Sequence, residues 1–536
     1  TLVFPMRGNF QDPPYELNVV TGHTMAQIDR TAIETRGIPG LLLMEHAGQG
    51  TTEGLLRSLP AESLNQTTIL CGKGNNGGDG FVVARRLAQA GFQPRVALLG
   101  EMDNLTGDAR TNGQRMIREG VPLWECASEE RWNSFLKTAA STRVWVDALL
   151  GTGVRGAPRG LIAQAISAVN ARRNDAVVAS IDVPSGVEAD TGRVEGEAVF
   201  ADWVYTMGLP KIGSLLPPGL NYGRRLIVLD IGFPRDLIAE ADSLAQMLTA
   251  REVSNWLPRR DISTHKGNQG HVLIIAGSRG MTGAALMSAK AALISGAGLL
   301  TAACPASLLP IYASGVWEMM TRPAPETETG AFSEKAFEEL FSNDSRWSAV
   351  VIGPGLGRHP STQNLVRRVI REIPLPVVID GDGLAAITKE DLHQRRWDWA
   401  ATPHPGEMAR LFQTTVPEIQ ADRLGYATRL AESENGVAVL KGPKTIIAAA
   451  GKKPYINPTG TPAMASGGMG DVLTGVIGAF LAKGIPALEA SASAVFLHGL
   501  AAELAEGELA AESVTATQVI SHLQAALRDV RQAACV

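Results

Sequence analysis

Cysteine is scarce in this sequence, and its scarcity excludes two ways of stabilising a fold. Only four cysteines occur in 536 residues, and Cys71, Cys126, Cys304 and Cys535 are far apart with no C-x-x-C pair among them. Neither a zinc site nor a disulfide framework is therefore indicated. A reducing compartment fits this usage best, and we expect a cytoplasmic protein.

Positive charge and long apolar runs are also lacking. The formal net charge is −5 and the pI is near 6.0, unlike the basic surfaces of proteins that bind nucleic acid or anionic membranes. No apolar run reaches the roughly 18 residues that a membrane helix needs. The opening stretch TLVFPMRGNFQDPPYELN has no apolar core of a signal peptide. We expect no nucleic-acid partner and no membrane span.

What the sequence does contain is an alternation of apolar strands with helix-like segments, in a chain long enough for at least two domains. We place the boundary near residue 240, giving domains 1–240 and 241–536. Both are predicted to be α/β, the first with a Rossmann-like, doubly wound, mostly parallel sheet. Predicted strands of the first domain are 67–70, 95–99, 144–146, 177–181, 203–206 and 226–229, and its helices include 25–35, 40–59, 80–90, 107–119 and 161–172. In the second domain we predict strands from 271 and at 349–352, 376–380, 437–440 and 445–448, with helices 281–295, 471–482 and 487–503.

Three loops follow strands of the first domain, at 72–80, 147–153 and 182–186. In an open α/β sheet, ligands bind beyond the carboxyl ends of the strands, so the loops are expected to meet at one site. The first, CGKGNNGGDG, contains the G-x-G-x-x-G spacing of dinucleotide-binding turns. The acidic residue expected about 20 positions on is out of place, because Glu101 and Asp103 lie further along.

The glycines of that loop have two possible explanations. Glycines at 72, 74, 77, 78 and 80 would permit positive φ and a close approach of ligand to backbone, with a helix from about Gly80 offering free N–H groups to an anion. An ordinary tight turn would explain two or three of them. The neighbouring Asn75, Asn76 and Asp79 favour a ligand, because a bare turn does not need them.

Oxygen-bearing side chains cluster in the same loops. Asp147 and Asp182 come just past apolar strands, where a carboxylate needs a partner. Each could merely cap a helix or turn. Together with Asn76 and Ser185 they form an oxygen-only set suited to an alkali or alkaline-earth ion.

These motifs give the first domain a resemblance to the YjeF N-terminal domain, the NAD(P)HX epimerase family. The resemblance is carried by GNNGGDG at 74–80, VDALLGTGVRG at 146–156, IDVPSG at 181–186 and GLPK at 208–211. It implies potassium ligands at Asn76, Asp147 and Ser185, and proton transfer assisted by Asp182. It also implies substrate contacts at Asn75, Asn76, Gly77, Gly78, Asp79, Gly151, Thr152, Gly153, Val154, Arg155, Gly156, Ala157 and Asp182.

In the second domain the most informative stretch is ASGGMGDVLTG at 465–475. Gly467, Gly468 and Gly470 precede a helix that we expect to begin at Asp471, which gathers backbone N–H groups into an anion hole. A carboxylate there could accept a proton from a substrate hydroxyl. A flexible turn with Asp471 as an N-cap is the alternative.

The second domain resembles the ADP-dependent NAD(P)HX dehydratase family, which has the ribokinase-like fold. The motifs are GSRGMTGAA at 277–285, GPGLGR at 353–358, TPHPGEMARL at 402–411, KGPKT at 441–445 and GGMGDVLTG at 467–475. The resemblance implies substrate contacts at Ala284, Gly355, His404 and Asp471, with Asp471 as the base. It implies AMP or ADP binding by Lys441, Gly442, Pro443, Lys444, Thr445 and Gly470. It also implies magnesium, although HPGE at 404–407 lacks the Asn of the N-x-x-E element of related kinases.

Both resemblances lead to one metabolite. The expected function is epimerisation of R- and S-NADHX and NADPHX, followed by dehydration of the S epimer, with ADP converted to AMP and phosphate. One alternative is a vitamin or sugar-alcohol kinase fused to a nucleotide-sensing regulatory domain. Another makes the first domain a non-catalytic sensor or interaction module. We also expect a homo-oligomer.

Overall fold

The computed structural model describes residues 15–153, 155–341, 347–432 and 435–533, and the chain divides into two compact units, Thr1–Gln246 and Met247–Val536. This division lies a few residues beyond the boundary expected at 240. The segment before it belongs to the first unit because Leu244 N donates to Val19 O at 2.9 Å and Ser243 Oγ to Asn18 Oδ1 at 3.2 Å. Among the described residues, no helix is long and apolar enough to cross a membrane.

The first unit alternates strands and helices along the chain. Its strands are β1 Leu17–Val19, β2 Thr67–Cys71, β3 Arg95–Leu98, β4 Leu123–Glu125, β5 Val144–Ala148, β6 Val177–Ile181, β7 Ala201–Met207 and β8 Gly223–Leu229. Its helices are α1 Gly22–Arg30, α2 Gly40–Ser58, α3 Ala61–Leu64, α4 Asn75–Gln89, α5 Gly107–Arg118, α6 Glu129–Thr138, α7 Gly160–Asn170, α8 Ile212–Leu215 and α9 Arg235–Ala239. A π-helix at Thr31–Thr35 and 3₁₀ turns at Met102–Asn104 and Gly219–Tyr222 complete this set.

Seven of these strands form one parallel sheet in the order β4-β3-β2-β5-β6-β7-β8. Ile69 of β2 lies between Val96 of β3 and Val146 of β5, and all three side chains are buried. The chain winds outwards in both directions from β2 and β5, so the loops after these two strands open a crevice between them. The predicted doubly wound sheet is confirmed.

The second unit follows the same alternation. Strand β9 Ala245–Met247 lies at the division, and β10 His271–Ile275, β11 Leu299–Pro305, β12 Met320–Ala324, β13 Ala349–Ile352, β14 Val377–Ile379, β15 Trp399–Ala401, β16 Gly436–Leu440, β17 Ile446–Ala449 and β18 Tyr455–Ile456 follow. The helices are α10 Ala250–Trp256, α11 Thr282–Ile294, α12 Leu309–Gly315, α13 Ala336–Phe341, α14 Pro360–Glu372, α15 Asp382–Ala385, α16 Lys389–His393, α17 Pro405–Phe412, α18 Val416–Ala421, α19 Arg423–Leu430, α20 Met469–Ala482, α21 Ala487–Glu508 and α22 Ala516–Ala533. Short 3₁₀ turns lie at Lys266–Gln269, Ala306–Leu308, Pro462–Met464 and Ala511–Ser513.

Within this unit the strand order is β18-β17-β16-β15-β14-β13-β10-β11-β12. The strands from β12 to β16 are parallel, and β17 and β18 are antiparallel to their neighbours. The α/β class predicted for this half is confirmed. The sequence did not predict β12, because this edge strand carries the exposed Met320 and a proline, Pro323, instead of an apolar run.

The glycine-rich stretch of the first unit is helical, contrary to expectation. Helix α4 begins at Asn75 rather than near Gly80, and no glycine from 72 to 80 has positive φ. Four of these glycines, at 72, 77, 78 and 80, are needed for packing instead, whereas Gly74 has open space around it. A Cβ on Gly77 would lie 2.0 Å from Gly72 O, and one on Gly80 would lie 2.7 Å from both Ala148 Cβ and Cys71 Sγ.

Helix α20 also begins earlier than predicted. It starts at Met469, after Gly468 with φ of +89°, so Asp471 is the third helical residue and not the first. The left-handed glycine turns the chain into the helix at once, and the sequence pattern alone did not place that turn. Asp471 still lies in the first helical turn, where backbone N–H groups have no intrahelical partner.

Candidate active sites

The first unit contains a cavity of about 830 Å³ at the carboxyl ends of its central strands. One wall is polar and comes from the start of α4, the loop after β5, and the residue after β6. Lining residues expected from the sequence are Asn75, Asn76, Asp79, Gly151, Thr152, Gly153 and Asp182. The opposite wall is largely apolar, from Met25, Leu43 and Phe233. A molecule with an uncharged ring and a polar edge fits such walls.

Asp182 forms an ion pair inside this cavity. Its Oδ1 lies 2.5 Å from Nζ of Lys211, whose side chain is fully buried. Lys211 Nζ also donates to Thr206 Oγ1 at 3.1 Å and to Met207 O at 2.8 Å, which satisfies a buried ammonium group. Asp182 adopts a φ of +69°, a strained conformation for a residue with a side chain, and such strain collects at functional sites.

A second carboxyl group, that of Asp79, lies in the same cavity, and burial is the main effect on its pKa. Burial raises the pKa of Asp79 well above its usual value, the charges of Asp182 and Asp29 raise it further, and Lys211 opposes them. Asp182 by contrast has an ammonium partner. Two carboxyl groups in one cavity, one with a raised pKa that favours its protonated form and the other beside a buried lysine, are suited to act as acid and base.

Three of the four residues in the oxygen set expected from the sequence, Asn76, Asp147 and Ser185, lie together behind the loop after β5, whereas Asp182 pairs with Lys211. Asp147 is fully buried inside β5, not past its end; its Oδ1 accepts from Ser185 Oγ at 2.6 Å, and its Oδ2 accepts from Ser180 Oγ at 2.8 Å and Ser185 N at 2.9 Å. Burial raises the pKa of Asp147, while the hydrogen bonds from Ser185 and Ser180 oppose that change.

Asn76 completes this cluster with an unused acceptor. Its Nδ2 donates to Leu150 O at 2.8 Å, whereas its Oδ1 is buried with no hydrogen-bond partner. A buried amide oxygen without a partner costs free energy, and a hard cation would satisfy it. The residues present therefore fit a monovalent or divalent cation with oxygen ligands.

Some substrate residues expected from the resemblance lie away from the cavity. Gly77 and Gly78 are buried and do not line it. Arg155, Gly156 and Ala157 are exposed and do not line it either, and Arg155 Nη2 lies 3.6 Å from Asp190 Oδ2. Val154 is outside the described residues. The structure thus brings together the asparagines, Asp79, residues 151–153 and Asp182, and leaves 155–157 apart.

In the second unit, the charged residues gather around Lys441 at the carboxyl ends of β14, β15 and β16. Lys441 Nζ lies 2.6 Å from Asp380 Oδ1 and 3.9 Å from Glu407 Oε2. Burial opposes its charge, yet Asp380, Glu407 and Asp471 together raise the pKa of Lys441. Asp380 is buried and also accepts from Thr402 Oγ1 at 2.7 Å.

Asp471 is the carboxyl group of this cluster best suited to take up a proton. Burial and then the charge of Asp380 raise its pKa to about 6, against the opposing charge of Lys441. A base titrating near neutral pH is efficient in proton transfer. The preceding Gly470 keeps the helix start open, because a Cβ there would lie 3.1 Å from Asp380 Oδ2 and 3.2 Å from Lys441 Nζ.

His404 caps helix α17 and is held in one tautomer. Its Nδ1 accepts from Gly406 N at 2.9 Å and Glu407 N at 3.3 Å, and Glu407 Oε2 accepts from His404 N at 2.7 Å. Because Nδ1 is an acceptor, the ring proton is on Nε2, which is left as a donor. The HPGE motif thus builds a capping box and orients a half-exposed imidazole beside Glu407.

The remaining predicted residues of this unit lie in helix α11 and in two turns. Gly355, with φ of +61°, approaches Ala284, whose Cβ would be 3.0 Å from a Cβ on the glycine. KGPKT links β16 to the antiparallel β17, and Lys444 Nζ donates to Pro458 O at 2.5 Å. Thr445 Oγ1 donates to Gly442 O at 3.0 Å, and Pro443 is exposed.

Sequence reasoning missed two charged residues of these sites. Lys211 was noticed only as part of GLPK, and its ion pair with Asp182 was not foreseen; a lysine directly after an apolar strand and its turn was the available signal. Asp380 begins the DGDG stretch at 380–383, which the sequence indicates as a binding loop because it follows a strand, but no role was predicted for Asp380 and its ion pair with Lys441 was not foreseen.

The chain is a two-unit α/β enzyme with a charged cluster at the carboxyl ends of parallel strands in each unit. Residues 40–213 match the family model described as YjeF-related protein N-terminus, and residues 272–525 match the model described as NAD(P)H-hydrate dehydratase. A bifunctional NAD(P)H-hydrate repair enzyme of Moorella thermoacetica is 40% identical over 517 residues, covering 96% of this chain and 97% of that protein. The enzyme of the same name from Escherichia coli is 33% identical, covering 92% of this chain and 91% of that protein.

The chain therefore belongs to the family of bifunctional NAD(P)H-hydrate repair enzymes. Among solved structures, an ADP/ATP-dependent NAD(P)H-hydrate dehydratase from Bacillus subtilis, co-crystallised with ATP and Mg²⁺, is 32% identical with a TM-score of 0.48. The matched region covers 53% of this chain and 99% of the Bacillus subtilis chain.

Proposed function

We propose that the first unit interconverts the R and S epimers of NADHX and NADPHX, and that the second unit dehydrates the S epimer with ADP. The observation that carries the proposal is the Asp471 site, where a carboxyl group with a pKa of about 6 lies in the first turn of a helix beside Lys441. This arrangement combines a base with groups that stabilise a transferring phosphoryl group.

Epimerisation requires the ring carbon that bears the hydroxyl group to lose and regain its configuration. Asp182, whose Oδ1 lies 2.5 Å from Nζ of Lys211, accepts the hydroxyl proton. Asp79, whose raised pKa favours the acid form, donates a proton to the ring nitrogen, so that the bond between this nitrogen and the carbon opens. Reclosure on the other face of the carbonyl group gives the other epimer. In this step Asp182 returns its proton to the oxygen, and Asp79 takes its proton back from the nitrogen.

A potassium ion fits the cluster behind this cavity. Asn76 Oδ1, which has no other partner, Asp147 and Ser185 would hold it. When bound, the ion supplies a fixed positive charge near the start of α4. Asn75, Asn76 and Asp79 at that helix start, together with residues 151–153, then orient the substrate in the cavity.

Dehydration in the second unit turns a poor leaving group into a good one. Asp471 takes the proton of the ring hydroxyl group, and the hydroxyl oxygen attacks the β-phosphorus of ADP, releasing AMP. The N–H groups at the start of α20 and the ammonium group of Lys441 stabilise the charge on the transferring phosphoryl group. The lone pair of the ring nitrogen then expels phosphate, and loss of a proton from the neighbouring ring carbon restores NADH or NADPH.

The other residues of this unit have binding roles in the proposal. Residues 441–445 and Gly470 hold the nucleotide, while Ala284, Gly355 and the Nε2 donor of His404 contact the hydrated cofactor. Magnesium would arrive with the nucleotide phosphates, because the part of the chain that the structure describes has no group of three His, Cys, Asp or Glu side chains that could hold a metal. A homo-oligomer and a cytoplasmic location stay predictions.

The decisive experiment follows the nicotinamide absorbance of NADHX, supplied as a mixture of epimers, with and without ADP. The protein should convert all of the substrate with ADP and none without nucleotide. Asp182→Asn should stop after the S fraction, and Asp471→Asn should convert none. Asp103→Asn and Asp261→Asn, at exposed positions of the two units, are the matched controls and should behave as the parent.

Two results would overturn the proposal. If Asp471→Asn dehydrates NADHX at the parent rate, Asp471 is not the base of the reaction. A phosphorylated alcohol that accumulates while NADHX is not consumed would favour the kinase that the sequence left open as an alternative. The curated relatives do not favour that kinase, because their names describe repair of the hydrated cofactor over nearly the full chain.

A further inference from the structure

The cavity of the first unit is larger than the proposed ring chemistry needs. Its volume of about 830 Å³ is that of a large small-molecule pocket, whereas the proposed reaction takes place on a single ring beside Asp79 and Asp182. The proposed substrate continues from this ring through a ribose and a pyrophosphate group to an adenosine. The rest of the cavity therefore has room for a negatively charged part of the substrate.

The acidic side chains of the cavity belong to its reacting end. Burial raises the pKa of Asp29, and the charges of Asp182 and Asp108 raise it further. Lys211 opposes this shift and the similar, burial-driven shift in the pKa of Asp79. Asp108 also lies against the first residue of α2, where helix N–H groups favour a negative charge. These carboxyl groups therefore have positive neighbours other than the remaining cations of the cavity.

Two of those remaining cations are Lys73 and Arg159, which also line the cavity. Both side chains are exposed, and the part of the chain that the structure describes gives neither of them an ion pair or a hydrogen bond. The stem of Lys73 lies against Gly100, just past the carboxyl end of β3. Lys211 differs from both, because its ammonium group is used in the ion pair with Asp182. The donors of Lys73 and Arg159 are thus available to a ligand in the cavity.

Each of these two cations lies at the first turn of a helix. Lys73 precedes Gly74, the N-cap of α4, and Arg159 is itself the N-cap of α7. Neither N-cap has a side-chain hydrogen bond to its helix, so the first N–H groups stay available to solvent or a ligand. Both first turns contribute to the lining of the cavity, through Asn75 and Asn76 of α4 and Leu161 and Ile162 of α7. Two cations and the positive ends of two helix dipoles therefore serve one cavity.

A separate observation indicates that a ligand binds at the start of α4. Asn76 is more than nine-tenths buried and lines the cavity, and its Oδ1 has no hydrogen-bond partner. This oxygen repels an anion, but a cation between the two would satisfy both. The cation proposed for Asn76 would thus add positive charge at the same helix start as Lys73.

We propose that Lys73 and Arg159 bind the pyrophosphate group of the hydrated dinucleotide, a role that rests on the epimerase function proposed above. The first turns of α4 and α7 donate to the same group, while Asp79 and Asp182 act on the ring. Neither cation belongs to the motifs at 74–80 and 146–156 that carry the family resemblance. The first unit thereby selects a dinucleotide by its charge and disfavours a hydrated nucleoside without phosphate.

Interconversion of purified R and S epimers without ADP, followed by chromatography, measures the first unit in the full chain, because dehydration needs the nucleotide. In Lys73→Gln/Arg159→Gln, the KM for NADHX should rise about tenfold or more with kcat little changed, since charged hydrogen bonds to phosphate are strong and hold the substrate throughout the reaction. The hydrate of reduced nicotinamide riboside, which has no phosphate, should have a kcat/KM well below that of NADHX in the parent, and the double variant should not lower it further.

The matched control is Arg118→Gln/Lys137→Gln, which removes two exposed cations of α5 and α6 that do not line the cavity. It should leave both substrates unaffected. An unchanged KM for NADHX in Lys73→Gln/Arg159→Gln, or an equal loss for the riboside hydrate, would overturn the role of the two cations while leaving the epimerase in place.

NADPHX separates two sources of phosphate, because it carries a further phosphate group on the adenosine ribose. An equal rise in KM for NADHX and NADPHX supports recognition of the pyrophosphate group. A rise confined to NADPHX would show that the cations bind the ribose phosphate instead and would overturn the proposed role. A parent protein that interconverts no epimers would overturn the proposed epimerase itself, and the role of both cations with it.

Discussion

Asp471 shows how position alone can make an ordinary carboxyl group into a base. Its pKa of about 6 arises from burial and from the charge of Asp380, against the opposing charge of Lys441. Asp182 in the first unit has a positively charged neighbour instead, the buried ammonium group of Lys211 at 2.5 Å. The two proposed bases thus obtain their properties from different partners, and only the folded chain supplies either partner.

The pH dependence of dehydration is the test at this scale. Only the charged form of Asp471 accepts a proton, and a raised pKa means that this form disappears as the pH falls through about 6. We expect the rate of NADHX dehydration at saturating ADP to fall about tenfold per pH unit below that point.

A substitution of Asp380, the carboxyl group next to Asp471, provides the control for the pH profile of dehydration. Asp380→Asn removes the negative charge that raises the pKa of Asp471 and leaves Lys441 to lower it, so the acid limb should move to lower pH whatever the residual rate. A parent profile that stays flat down to pH 5 would contradict the assignment of Asp471 as the base.

At the scale of single elements, helix α4 shows why one glycine pattern can have two meanings. The G-x-G-x-x-G spacing suggested a loop with positive φ, but no glycine of the segment has positive φ and its last part, from Asn75, is the start of a helix. Its glycines let the helix lie directly against the end of β2 and its following turn, where a Cβ on Gly77 would overlap Gly72 O. The close approach places Asn76 and Asp79 at the cavity.

Gly80→Ala tests this packing. The added methyl group would lie 2.7 Å from both Ala148 Cβ and Cys71 Sγ, and overpacking of this kind costs about 1 to 3 kcal/mol. We expect a lower free energy of unfolding of the first unit in denaturant titrations. Gly507→Ala, in helix α21 with no atom near its Cβ, is the matched substitution and should stabilise its helix by about 0.5 to 1 kcal/mol. Equal effects of the two changes would contradict the packing argument.

At the scale of the whole molecule, two active sites with one metabolite make the chain a complete repair system. The epimerase unit supplies the S epimer that the dehydratase unit consumes, so both epimers are recovered. Each unit has its own charged cluster at the carboxyl ends of parallel strands.

A mixing experiment tests whether the sites act through a free intermediate. Full-length Asp182→Asn and Asp471→Asn each lack one activity, and an equal mixture should convert all NADHX when ADP is present, because the S epimer diffuses from one molecule to the other. The readout is the final nicotinamide absorbance, with each variant alone as the control. A mixture that stops at the S fraction would contradict free exchange.

The sequence by itself determined the α/β class, the order of the motifs and the family. Local features sufficed because alternating apolar runs and glycine-rich turns after strands are visible without tertiary contacts, as at Asp147, Asp182 and Asp471. Two helix starts were misplaced, at Asn75 and Met469, since a glycine can serve either a turn or a close contact and the sequence does not say which.

Only the tertiary structure decided which charges meet. Lys211 and Asp182 are separated by strand β7, and Asp380 and Lys441 by two strands and several helices, yet both pairs lie within hydrogen-bond distance. The electrostatic environment of a group depends on burial and on neighbours brought from distant parts of the chain, and neither is a property of local sequence.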